Sequence, residues 1–206
     1  MPGTCGDLVH SCHIKAARFV WAPAESQASS APQGVFAAHT DAGYAQIVDR
    51  DEMLRVLKAL ETEAVEYILI GAAAMGVHGV VRATEDLDIF IRAIPENVER
   101  LRRALRVAYG EDPSIDEIRT TDLLGDYPAV RYYPPTGDLY LDIMTRLGTA
   151  ANYDTVEADT KTVAGVRIRV ATPRALYALK KDTVRPLDHQ DAAMLRQAFN
   201  LEDDGR

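Results

Sequence analysis

Residues 67–91, YILIGAAAMGVHGVVRATEDLDIFI, constrain the chain more than any other stretch. Tyr67 to Ile70 is a short apolar run of β-formers, and Gly71 ends it. Ala72, Ala73, Ala74 and Met75 favour helix, so the chain turns from strand to helix at Gly71. Such a turn leaves backbone N–H groups free at the helix start, where a phosphate is well received. In the second strand Leu87, Ile89 and Ile91 alternate with Asp86, Asp88 and Phe90. Period-two geometry sets Asp86 and Asp88 side by side on one face. Two carboxylates that close repel each other unless a cation lies between them. Mg²⁺ suits such hard oxygen ligands, together with substrate phosphates.

A third carboxylate follows. Residues 127–133 (YPAVRYY) and 138–144 (DLYLDIM) flank Pro134, Pro135, Thr136 and Gly137, which signals a hairpin. Leu139, Leu141 and Ile143 alternate with Asp138, Tyr140 and Asp142, so Asp142 faces away from the aliphatic side. If this arm pairs beside the Asp86 strand, Asp86, Asp88 and Asp142 converge. Such a triad holds two divalent ions in enzymes that displace phosphoryl groups in line.

These residues resemble the nucleotidyltransferases of the DNA polymerase β superfamily, and within it the small prokaryotic branch of AbiEii abortive-infection toxins and MenT-type toxins. The branch carries a glycine-small pair, here Gly71-Ala72. It also carries R-x-[ST]-x-D-x-D, here Arg82, Thr84, Asp86 and Asp88. A later K-x-x-x-x-R-x-x-D-x-x-D appears as Lys180, Arg185, Asp188 and Asp191. The likeness spans about residues 51–199. It implies an α+β, polymerase-β-like nucleotidyltransferase fold: a mixed sheet flanked by helices, with a small helical C-terminal part from about residue 172.

By resemblance, Asp86, Asp88 and Asp142 would be catalytic and bind Mg²⁺ or Mn²⁺. Gly71, Ala72, Arg82, Thr84, Lys180 and Asp191 would bind the nucleoside triphosphate. The reaction implied is transfer of a nucleoside monophosphate to a hydroxyl acceptor. By the same resemblance, that acceptor would be a transfer-RNA 3′ end in a toxin–antitoxin or phage-defence setting, or a protein hydroxyl. One departure matters: the superfamily usually has serine where Ala72 stands. It motivates a rival reading as a degenerate nucleotide-binding partner of a cognate antitoxin or toxin protein. Another rival is an antibiotic nucleotidyltransferase acting on an aminoglycoside or lincosamide, which an acidic surface suits.

Several residues keep two readings. Arg82 has phosphate or its neighbours Glu85 and Asp86 as partners. Lys180 contacts phosphate, with Lys181 the fallback, or favours a helix dipole. Asp191 orients Lys180 or a substrate group, while Asp188 serves as a cap for the last helix. His78 reads as structural. Arg100, Arg102, Arg103 and Arg106 on a helix over residues 94–109 read as a solvated face neutralised by Glu96 and Glu99 rather than an RNA surface.

With 206 residues, 47% of them hydrophobic, the chain has enough for one core. A net charge of −8 argues against broad DNA or RNA binding. No apolar run reaches membrane-spanning length, so a cytoplasmic protein with reduced Cys5 and Cys12 is expected. Residues 1–48, rich in Pro, Ser, Gly and Ala, read as a flexible or weakly ordered extension, and residues 49–206 as the domain. Cys5, His10, Cys12 and His13 match no zinc spacing. Further expectations are a helix over 51–63, a short strand near 115–118 and a loose segment after Asp142. A hairpin turning at Ala164-Gly165 follows, then a helix capped by Thr172-Pro173 and a last helix from Pro186.

Overall fold

A computed structural model describes residues 50–126, 128–148 and 151–202, so the expected N-terminal extension lies outside the described residues. The chain runs α1 (Arg50–Thr62), β1 (Tyr67–Leu69), α2 (Gly71–Val77), β2 (Asp86–Ile91) and α3 (Pro95–Tyr109). A 3₁₀ turn (Pro113–Glu117), α4 (Thr120–Leu124), β3 (Ala129–Tyr132) and β4 (Tyr140–Met144) follow. The remainder is β5 (Arg146–Leu147), β6 (Ala151–Asn152), β7 (Ala158–Val163), β8 (Val166–Ala171), α5 (Pro173–Lys180) and α6 (Pro186–Phe199).

Six strands form one mixed sheet in the order β3-β4-β2-β1-β8-β7. β2 runs parallel to β4 and antiparallel to β1, and β1 runs parallel to β8. Leu87, Ile89, Phe90 and Ile91 of β2 are all fully buried. Phe90 lies on the same face as Asp86 and Asp88, so that face is polar only at the N-terminal end of β2. Helices α1 and α3 pack on each other, α2 lies against β2, and α5 packs with α6.

Local chemistry accounts for most boundaries. The β7–β8 turn places Ala164 and Gly165 at φ +49° and +81°, the doubly positive geometry that matches the twist of a two-residue hairpin. Thr172 caps α5 by accepting the Ala175 N–H, with Pro173 in the first turn. Buried Asn97 clips β1 to β2: its Oδ1 accepts the Glu66 N–H at 2.7 Å, and its Nδ2 donates to the carbonyls of Glu66 and Arg92 at 3.0 and 2.9 Å.

Two expectations are corrected. The short strand near 115–118 is instead the 3₁₀ turn. Asp112 precedes Pro113 and accepts both the N–H and the hydroxyl of Ser114, which closes a tight turn in place of a ladder. After Asp142 the chain does not simply loosen, because β5 and β6 pair as a small antiparallel ladder. Among the described residues no helix is long and apolar enough to cross a membrane.

Asn97→Ala would remove three hydrogen bonds to part-buried backbone groups of Glu66 and Arg92. It should lower the unfolding free energy by about 3 kcal/mol in urea titrations, with an unchanged denaturant slope.

Candidate active site

The parallel pairing of β2 with β4 sets Asp88 opposite Asp142 and Asp86 opposite Tyr140. Carboxylate oxygens of Asp86, Asp88 and Asp142 consequently lie within 4.8 Å of one another, a grouping able to hold a metal ion. The convergence expected from alternation is therefore present as geometry. Burial, then the charges of Asp86 and Asp142, pushes the Asp88 carboxyl up to about 7, with Lys180 and Arg185 acting the other way. Three hard, mutually repelling oxygen donors fit a divalent cation such as Mg²⁺.

Gly71 completes this wall. Its φ is +68°, and a Cβ there would stand 1.9 Å from Asp88 Oδ2. The backbone turn and the carboxylate thus occupy adjoining space that admits no side chain. The Ile70 N–H donates to the Asp88 carbonyl at 3.0 Å and fixes their spacing. Ala72 is buried behind the turn and brings no hydroxyl. Thr84 donates its hydroxyl to the Asp86 carboxylate.

The later motif folds back onto the approach to these aspartates. Lys180 Nζ lies 3.0 Å from Asp188 Oδ1 and 2.8 Å from Asp191 Oδ2, and its side chain is largely buried. Arg82 grips the same Asp191 with two nitrogens, at 2.9 and 3.2 Å. Arg82 therefore pairs with neither Glu85 nor Asp86, because the fully buried Asp191 offers it a bidentate partner. Asp188 lies in the first turn of α6, whose N-cap is Arg185 without a side-chain capping bond, and its carboxylate instead takes Lys180 Nζ and the Thr183 hydroxyl, each at 3.0 Å.

One residue at the site went unrecognised from sequence. Arg131, on β3 opposite Asp142, donates Nε and Nη2 to the two Asp142 oxygens at 2.6 Å each. Its guanidinium carbon lies 4.6 Å from the centre of the Tyr140 ring. The signal was a cross-strand pair of opposite charge, readable once the register of the 127–144 hairpin is known.

Other candidates are structural. His78 Nε2 is 2.8 Å from the Ala171 carbonyl, and its ring meets Phe199 edge-on. On α3, Arg100 pairs with Glu66, Arg102 with Glu99, Arg103 with Glu63, and Arg106 with Glu111 and Asp116. The neutralising acids are thus drawn mostly from other elements. The cysteine–histidine cluster at residues 5–13 lies outside the described residues.

A mixed sheet that presents two aspartates from one strand and a third from its parallel neighbour, beside a glycine turn into a helix, is the polymerase-β-like nucleotidyltransferase fold. The chain belongs to the AbiEii family of nucleotidyltransferases: the family model described as "Nucleotidyl transferase AbiEii toxin, Type IV TA system" matches residues 55–194. It is accordingly a nucleotidyltransferase. No curated protein matches the sequence. Among solved structures, the lincosamide antibiotic adenylyltransferase LnuA is similar at 17% identity, covering 73% of this chain and 98% of that one, with a TM-score of 0.49. The antibiotic-resistance factor ANT(2'')-Ia shows 16% identity over 72% and 82% of the two chains, with a TM-score of 0.49. A putative nucleotidyltransferase from Thermotoga maritima shows 17% identity over 76% and 98%, with a TM-score of 0.46.

Because the Asp88 carboxyl titrates near 7 in the fold and near 3.8 ordinarily, the folded state favours its protonated form. Its contribution to stability is full below pH 4 and is lost as pH rises toward 7. Asp88→Asn should stabilise the protein at pH 8 in EDTA by about 2 kcal/mol and flatten stability between pH 4 and 8. Added Mg²⁺ should raise the Tm of the wild type at pH 8, and much less that of the variant.

Proposed function

We propose that the protein transfers a nucleoside monophosphate from a nucleoside triphosphate to a hydroxyl acceptor in a reaction dependent on divalent metal, with a transfer-RNA 3′ end as acceptor. The observation that carries the reading is the convergence of Asp86, Asp88 and Asp142 within 4.8 Å of one another, against the Gly71 turn. Asp86 and Asp88 would hold Mg²⁺ or Mn²⁺, and Asp142 would join them at a second ion. When bound, divalent ions supply charge neutralisation along the triphosphate and a lowered pKa at the acceptor hydroxyl.

The protein's own groups do the rest. Backbone N–H groups at Gly71 and Ala72 receive phosphate oxygens, a role that does not need the serine hydroxyl usual at that position. The acceptor oxygen bonds to the α-phosphorus, the bond to the bridging oxygen breaks, and pyrophosphate leaves. The hydroxyl proton passes to Asp142. Thr84 steadies the Asp86 carboxylate by donating to it. Lys180, held by Asp188 and Asp191, keeps a positive charge near Asp88 and the entering phosphates. Catalysis then rests on positioning and charge, as phosphoryl transfer generally does. The toxin role follows the family, and a cognate antitoxin protein would be its partner.

Each α-labelled nucleoside triphosphate, incubated with Mg²⁺ and total RNA, total protein or an aminoglycoside, tests the reading. Label should enter RNA, and Asp88→Ala should reduce transfer by at least about 1000-fold, the scale of losing a principal electrostatic element. Transfer that survives this substitution sinks the proposal. Gly71→Ala, whose Cβ would displace the Asp88 carboxylate, should cost about as much while the protein remains folded by circular dichroism.

A further inference from the structure

A row of side chains leads away from the carboxylates along β4 and β3. Arg131 holds Asp142 through both oxygens and lies over the Tyr140 ring. The Tyr133 ring is centred 5.5 Å from that of Tyr140, with the planes 37° apart. Tyr133 is the last member, and 42% of its surface is open to solvent. The row is thus a guanidinium over one ring and a second, tilted ring beside it, starting on the Asp142 carboxylate and ending in an exposed ring.

Its position in the sheet says which substrate meets it. Gly71, the phosphate turn, follows β1 on one flank of β2, whereas β4 and β3 lie on the other flank. A triphosphate seated at Gly71 leaves the β4–β3 side for the acceptor. A half-exposed tyrosine ring backed by a second ring costs little further order to use as a platform. Stacking on such a face accepts any nucleobase, because every base offers a π-face. RNA ends in particular are recognised by splayed bases stacked on aromatic rings and guanidinium planes.

We infer that Tyr133, backed by Tyr140 and Arg131, is the acceptor subsite, and that it stacks the terminal nucleobase of an RNA whose 3′ hydroxyl is presented at Asp142. The inference rests on the transferase reading above and adds to it the residue that holds the acceptor and the contact by which it does so. Arg131 is a positioning residue: it fixes both Asp142 and Tyr140.

The test uses the full chain with Mg²⁺, nucleoside triphosphate and a short single-stranded RNA, carrying either a natural or an abasic 3′-terminal nucleoside. Tyr133→Ala should raise KM for the natural RNA by roughly 10-fold, within the range expected for one stacked base, and leave KM for the triphosphate unchanged. Tyr133→Trp should restore it, and the abasic RNA should be indifferent to both changes. An unchanged KM for natural RNA, or an equal loss with abasic RNA, overturns the subsite and leaves the transferase intact. Label entering only protein or an aminoglycoside does the same. If the wild type labels nothing, fluorescence anisotropy of the same RNAs decides. Affinity that depends on Tyr133 and on the terminal base upholds the platform while the transferase reading falls, and its absence overturns both.

Discussion

Everything at the site depends on a repulsion that the sheet enforces. Parallel pairing of β2 and β4 brings Asp88 and Asp142 into register, and alternation along β2 adds Asp86. Nothing in the backbone ladder relieves the resulting concentration of negative charge. The protein offsets part of it at three edges: Arg131 on Asp142, Thr84 on Asp86, and Lys180 at a remove from Asp88. Asp88, in the middle and pressed against a glycine, keeps the largest share of the strain. A site built this way is incomplete without added positive charge, which is how a scaffold becomes a receptor for cations and phosphates together.

The second layer of charge is arranged differently. Asp191 is fully buried, yet it faces two cations, Arg82 from the loop before β2 and Lys180 from the end of α5. Asp188 shares Lys180 and adds the Thr183 hydroxyl. This network joins the C-terminal helical pair to the loop that leads into β2. Lys180 is therefore held in place before any substrate arrives, at the cost of part of its freedom to follow one.

What was legible in the sequence was local. The alternation in residues 86–91, the Ala164-Gly165 turn and the Thr172-Pro173 start of α5 each carry their cause within a few residues. Asp142 was legible too, because its strand alternates as clearly as β2. Ile115 and Ile118 suggest a strand near 115–118, but the Asp112 cap and Pro113 override them and give the 3₁₀ turn. Arg131 was passed over for another reason. Its meaning depends on hairpin register, and the four residues 134–137 allow more than one. The Arg82–Asp191 pair required knowing that a helix more than a hundred residues downstream lies beside the loop, whereas Asp191 beside Lys180 is within reach of the sequence.

The contact between Gly71 and Asp88 also bears on how length variation can be tolerated here. The chain leaves the site at Gly71, runs through α2, and re-enters it at Asp88, with the Ile70 N–H bonded to the Asp88 carbonyl. Both ends of this excursion are pinned against each other, so the segment behaves as a closed ring whose clasp is the candidate site. Length change along the outer arc is limited by Arg82 and Thr84, which tie it to Asp191 and Asp86. A one-residue slip of β2 itself would turn the strand over and set Leu87 and Ile89 where Asp86 and Asp88 stand.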